Sequence, residues 1–144
     1  MLQINLNEKK YKAFIDFVSK TCDFLSLVFE KDESDSSQYI FQEEYFSVYD
    51  SLIKKETVVI HPNTGTCFEN ADILYLKLDT PVISFLKQTN RIFDWNGNKL
   101  PEELCFYRDN KIWFTCISHE NLLFIHNETK VDLEFLESNK IKFV

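Results

Sequence analysis

Polar and apolar positions alternate from Leu2 to Leu6 as Leu-Gln-Ile-Asn-Leu, the period of a strand buried on one face. Asn7 then offers a helix cap and Glu8 an acid for the first turn. Tyr11, Phe14, Ile15 and Val18 follow at i, i+3, i+4 and i+7, which predicts a helix over 8–21. Phe24 to Glu30 predicts a strand with Leu25, Leu27 and Phe29 on one side. A polar, acidic connector at 31–37 leads into a second helix over 37–53, with Phe41, Tyr45, Val48, Tyr49 and Leu52 as its buried stripe. Thr57 to Ile60 reads as a buried strand, and Pro62 and Gly65 mark 61–66 as a loop.

Ala71 to Leu78 predicts the next strand, and Thr80-Pro81 the start of a short helix that buries Val82, Phe85 and Leu86. Asn96 to Lys99 reads as a turn. Cys105–Tyr107 and Lys111–Ser118 form a hairpin about Asp109-Asn110. Leu122–Ile125 extends the sheet, a short helix covers about 131–138, and Ile141–Val144 closes it. The pattern predicts one α+β domain over 1–144, with a mixed or mainly antiparallel sheet, two longer helices and one or two shorter ones.

Composition narrows the function classes. Of 144 residues 44% are apolar, enough for one core, and an aromatic share of 15% excludes a disordered chain. Phosphate-cradling loops need several glycines at fixed spacing, whereas Gly65 and Gly97 stand alone. No cofactor is expected. The N-terminus lacks an apolar stretch with a cleavage site, and no window approaches the roughly 18 apolar residues of a spanning helix, so a cytoplasmic protein without membrane contact is expected. In that compartment Cys22, Cys67, Cys105 and Cys116 are expected as free thiols.

The net charge is −7, which disfavours direct binding of nucleic acid. By stretch it is +1 over 1–31, −5 over 32–56, 0 over 57–100 and −3 over 101–144. The excess thus concentrates on the connector and second helix. That helix carries more aromatic residues than one stripe needs, and Tyr39, Glu43, Glu44, Phe46 and Asp50 are the candidate partner-binding residues. They suit a protein partner with a basic surface.

The hairpin offers chemistry of another kind. With a two-residue turn, Phe106 is expected opposite Trp113 and Arg108 opposite Lys111, so that Arg108, Trp113 and His119 share a face with Glu120 just beyond. His119 and Glu120 supply acid-base groups and Arg108 an anion holder, provided a concave pocket lies beside the hairpin's end. Alternatively Arg108 stacks on an aromatic ring and the group is architectural. Cys116-x-x-His119 has ligand spacing, but a structural zinc site needs two such pairs, and no metal is expected.

Gly65-Thr66, Ala71–Leu78, Phe93-Asp-Trp95, Leu100-Pro-Glu-Glu-Leu-Cys-Phe-Tyr-Arg108, Trp113 and Ser118-His-Glu120 resemble a poorly characterised family of small cytosolic proteins from low-GC Gram-positive bacteria. A sporulation label is sometimes attached to that family. The resemblance implies a compact α+β domain and no established activity, and it matches Arg108, Trp113, His119 and Glu120 residue by residue. This chain departs from the pattern at His61-Pro-Asn-Thr-Gly65, where the family has a Trp-Pro-Gly-Thr-like loop, and at Glu103, where it has Asp.

The expected function is a non-enzymatic interaction module, an immunity, inhibitor or regulatory subunit that holds a basic partner by acidic and aromatic surface. The alternatives are a small hydrolase or transferase using His119, Glu120 and Arg108, and an acidic mimic of nucleic acid built on 32–56.

Overall fold

A computed structural model describes residues 1–31, 46–97 and 100–144, with the side chains of Phe46 and Ser47 outside that description. The elements in chain order are β1 (Leu2–Asn5), α1 (Glu8–Thr21), β2 (Phe24–Glu30), α2 (Phe46–Tyr49), β3 (Leu52–Ile60), β4 (Cys67–Lys77) and α3 (Thr80–Leu86). They continue with β5 (Glu102–Arg108), β6 (Lys111–Ile117), β7 (Leu122–Ile125), α4 (Lys130–Ser138) and β8 (Lys142–Phe143). Short 3-10 turns occupy Ile92–Asp94 and Ser118–Glu120. Among the described residues all strands join one antiparallel sheet of eight, in the order β3-β4-β2-β5-β6-β7-β1-β8.

The two faces of this sheet differ. One is covered by helices: Tyr11, Phe14, Ile15 and Val18 of α1, Val82, Phe85 and Leu86 of α3 and Leu136 of α4 pack on Leu25, Leu27, Phe29, Leu74 and Leu76. Within this core the Tyr11 hydroxyl donates to the Leu86 carbonyl at 2.6 Å and accepts from Trp95 Nε1 at 3.0 Å, so both polar groups are satisfied. The other face gathers Val28, Phe68, Ala71, Ile73, Tyr75, Cys105 and Tyr107, and among the described residues no helix contributes to it. The loop between β3 and β4 folds over it instead, and Asn63 donates to the Tyr107 hydroxyl at 2.9 Å.

The first helix forms where its apolar spacing places it. Asn7 caps it, its side chain accepting from the Lys10 N–H at 3.2 Å. Asn7→Ala is expected to lower stability by about 1 kcal/mol in urea denaturation, and Asn7→Asp to retain it. For α3 the cap is Asp79 rather than Thr80, with Pro81 in the first turn.

Three expectations are corrected. The helix over 37–53 does not extend past Tyr49: 50–51 turn, and Leu52 and Ile53 open β3, which pairs along β4 from Leu76 to Cys67. Of that predicted helix, 37–45 lie outside the described residues. Thr57–Ile60 belongs to an edge strand and is not buried, with Val59 71% exposed and Ile60 59%. The hairpin register also changes along its length. Arg108 pairs with Lys111 and Tyr107 with Ile112, but a bulge then sets Phe106 opposite Phe114 and Cys105 opposite Thr115. An extra residue turns two successive side chains to one face, and Trp113 and Phe114 both enter the helix-covered core.

Candidate functional site

A cleft of about 830 Å3 opens at the end of the sheet, between the C-terminal end of β2, the start of β5 and the segment from Gly65 to Ala71. The extended backbone fixes which side chains meet there. Glu102 pairs across the ladder with Val28, and Glu30, two residues further along β2, falls on the same face diagonally beside it. Burial, then Glu30 and Glu103, push the Glu102 carboxyl up to about 8, so the acid is protonated at neutral pH. Gly97, at φ +83°, passes so close that an added Cβ would lie 3.0 Å from the Glu102 carboxyl carbon.

Glu103 adopts φ +57°, a left-handed conformation seldom taken by residues with a side chain. Its N–H donates to Ser118 Oγ at 3.2 Å and its side chain is 0% exposed. The Thr64 and Thr66 hydroxyls and His119 stand near the carboxylate and oppose the upward push of burial, which nevertheless holds Glu103 above the usual carboxylate range. Neither carboxylate oxygen has a partner at hydrogen-bonding geometry, and Oε1 lies 3.5 Å from His119 Nδ1.

His119 sits on the 3-10 turn after β6, half exposed on the cleft wall, with Nε2 4.0 Å from Glu120. Glu69 adds another acid to the lining. Lys31 brings a cation, but Asp72 holds it at 3.0 Å and also accepts from Thr57 at 2.8 Å. Among the described residues of the lining, acids thus outnumber cations.

The loop from His61 to Thr66 is held by short-range bonds. His61 N–H donates to the Thr66 carbonyl at 2.8 Å and Gly65 N–H to the His61 carbonyl at 2.9 Å, with Gly65 at φ +74°. The buried His61 ring accepts from the Asn63 N–H on Nδ1, and burial pushes its pKa down to about 4.

Arg108 lies elsewhere. It stands at the closed end of the hairpin, whereas His119 follows the open end of β6. At about 3.3 Å per residue, a seven-residue strand separates them by roughly 20 Å. The expected grouping of Arg108, Trp113, His119 and Glu120 is therefore split. Arg108 donates to Asp132 at 2.9 Å and to Thr21 Oγ1 at 2.8 Å, and its guanidinium lies 4.0 Å from the Trp113 ring centroid. Trp113 Nε1 donates to the same Asp132 oxygen at 3.0 Å. Shape and charge make this an architectural clamp between the ends of α1 and α4.

Of the proposed partner-binding residues, Tyr39, Glu43 and Glu44 lie outside the described residues, as does the side chain of Phe46, which opens α2. Asp50 is exposed in the turn before β3. Cys116 is buried while His119 lines the cleft, and among the described residues no group of His, Cys, Asp and Glu is placed to hold a metal. Cys22 and Cys105 are buried too, and Cys67 is exposed; all four thiols are free. No described helix is long and apolar enough to cross a membrane. Glu30, Glu69, Glu102 and Glu103 were not legible as a site, although Pro101-Glu-Glu103 ahead of an apolar strand was the one available signal. The chain matches no family model, no curated protein and no solved structure.

Proposed function

We propose that the chain is a non-enzymatic protein-interaction module, an immunity, inhibitor or regulatory subunit that holds a basic protein partner. The observation that supports this reading is the cleft itself. Glu30 and Glu69 line a space of about 830 Å3 whose described lysine, Lys31, is already engaged by Asp72, with the protonated Glu102 beside them. Such a concave field attracts and orients positive charge. Co-purification from the producing cell tests the reading. A basic protein is expected in stoichiometric amount at low ionic strength and to be released at about 1 M salt, where screening shortens to about 3 Å. Recovery of no stoichiometric partner at low salt counts against it.

One observation favours a second reading, a small hydrolase or transferase. The His119 ring lines the cleft with the buried Glu103 carboxylate behind Nδ1, the relation of a general base to its orienting acid. Arg108 has no part in it. A His119→Ala variant that retains all activity on ester and amide panels would dismiss this reading. The nucleic-acid mimic gains no such support: among the described acids of 32–56, Asp50 is exposed and Glu56 pairs with Lys54 at 3.0 Å.

A further inference from the structure

We propose that the loop from His61 to Thr66 is a strap released by acid: protonation of the His61 ring frees the loop from the sheet and moves the cleft wall that Gly65 and Thr66 form. The loop's own bonds converge on His61. Its N–H donates to the Thr66 carbonyl at 2.8 Å, its carbonyl accepts from the Gly65 N–H at 2.9 Å, and its ring Nδ1 accepts from the Asn63 N–H at 3.1 Å. Asn63 then ties the loop to β5. Its side-chain amide donates to the Tyr107 hydroxyl at 2.9 Å, and that hydroxyl lies 3.0 Å from Ser26 Oγ of β2. Gly65 and Thr66 line the cleft, so the wall follows the strap whatever the cleft binds.

The closed loop accepts only a neutral imidazole. A ring that accepts on Nδ1 carries its single proton on Nε2, and this Nε2 is buried without a partner in a residue 1% exposed. A second proton, on Nδ1, would set two donors against each other, the ring and the Asn63 N–H, and leave a buried charge with no acceptor. The titratable groups that reach the loop from β5 are Tyr107, through Asn63, and Glu103, beside Thr64 and Thr66. Tyr107 is a neutral phenol in acid, and Glu103, raised by burial, takes up its own proton before His61 does, so neither supplies a countercharge. On the cleft side stand Lys31 and His119, of the wrong sign, and Glu30, Glu69 and Glu102, none of which offsets the burial of His61. An opened loop hydrates the ring, which then charges at its ordinary 6.5. Between that value and about 4, each unit of acid therefore favours the open form about tenfold.

Hydrogen exchange and ring shifts of the full chain, followed by NMR from about pH 7 to about pH 4, test the strap. Protection of the Asn63 N–H is expected to fall roughly tenfold per unit below about pH 6.5, and the Tyr107 ring resonances to move with it. The Leu25 and Leu27 amides of β2, paired on both sides by β4 and β5, should stay protected. His61→Gln keeps an acceptor for the Asn63 N–H and cannot charge, so the fall should vanish. Asn63→Ala cuts the tie to Tyr107 and should raise opening roughly fivefold at every pH, with the slope unchanged. A His61 ring that titrates at its ordinary value with Asn63 still protected overturns the proposal. Loss of Asn63 protection with unmoved Tyr107 resonances does so too, since the ring would then leave alone. Loss of Leu25 and Leu27 protection in the same step would show that the chain unfolds as a whole, and no strap exists.

Discussion

Replacing Asp132 by alanine is expected to destabilise the fold by about 3–5 kcal/mol, the range for removing one partner of a buried ion pair. One oxygen of this carboxylate accepts from Arg108, from Trp113 Nε1 and from the Thr129 N–H, at 2.9, 3.0 and 2.9 Å. The Asp132 N–H in turn donates to the Thr129 hydroxyl oxygen, so the same residue closes the capping box of α4. Burial alone raises the carboxyl's pKa, but Arg108, Thr129 and Trp113 outweigh it and hold the group below the usual aspartate range. Alanine leaves Arg108 stacked on Trp113 with no countercharge, in a region where Asp132 is 1% exposed. Asp132→Asn keeps the shape and loses the charge, so about half the effect is expected. Urea denaturation followed by circular dichroism at neutral pH measures both. A loss under about 1 kcal/mol for alanine would show that the pair behaves like a solvent-exposed one.

The sequence was legible where one local rule sufficed. The spacing of Tyr11, Phe14, Ile15 and Val18, together with Asn7, specified α1 to its ends. The alternation in 24–30 assigned Leu25, Leu27 and Phe29 to the helix-covered face. Asp109 and Asn110 take positive φ, as a two-residue hairpin turn demands. Failures arose where periodicities competed or tertiary pairing decided. Val48, Tyr49 and Leu52 fit a helical stripe, but Leu52 joins Ile53 and the β-branched run after Glu56 in a long strand paired with β4. Trp113 was placed by strict alternation, and no residue type announced the bulge that displaces it. The acidic cleft was hidden for a further reason. Glu30 and Glu102 are 72 residues apart and meet only because β2 lies between β4 and β5. His119 was recognised as a candidate, but its companion is Glu103 rather than Arg108, because a strand's length separates the two ends of a hairpin.

Folding stability is expected to fall as pH rises from about 6.5 to about 8, because of the Glu102 carboxyl. Its folded-state pKa is raised to about 8 from the ordinary 4.5, with burial as the first cause and Glu30 and Glu103 behind it. Between those values the folded chain binds more protons than the unfolded one, so stability is full below about 4.5 and is lost as pH climbs through 8. Glu103, also raised by burial, acts in the same direction. The cleft admits solvent, which reduces the effect below the ideal 1.36 kcal/mol per unit, and about 2–4 kcal/mol is expected from Glu102. His61 opposes this at the acid end. Its folded pKa is lowered by burial to about 4 from 6.5, so the folded chain binds fewer protons in that interval and stability falls as pH drops from 6.5 towards 4. Between about pH 4.5 and about pH 6.5 the two limbs oppose each other, so the net loss sets in above about pH 6.5. Glu102→Gln keeps the hydrogen-bonding shape without the ionisation, and should gain about 2–4 kcal/mol at pH 8 while leaving the acid limb in place. Urea midpoints across the pH range read out both limbs. A parent chain that is as stable at pH 8 as at pH 6 would show that Glu102 ionises freely.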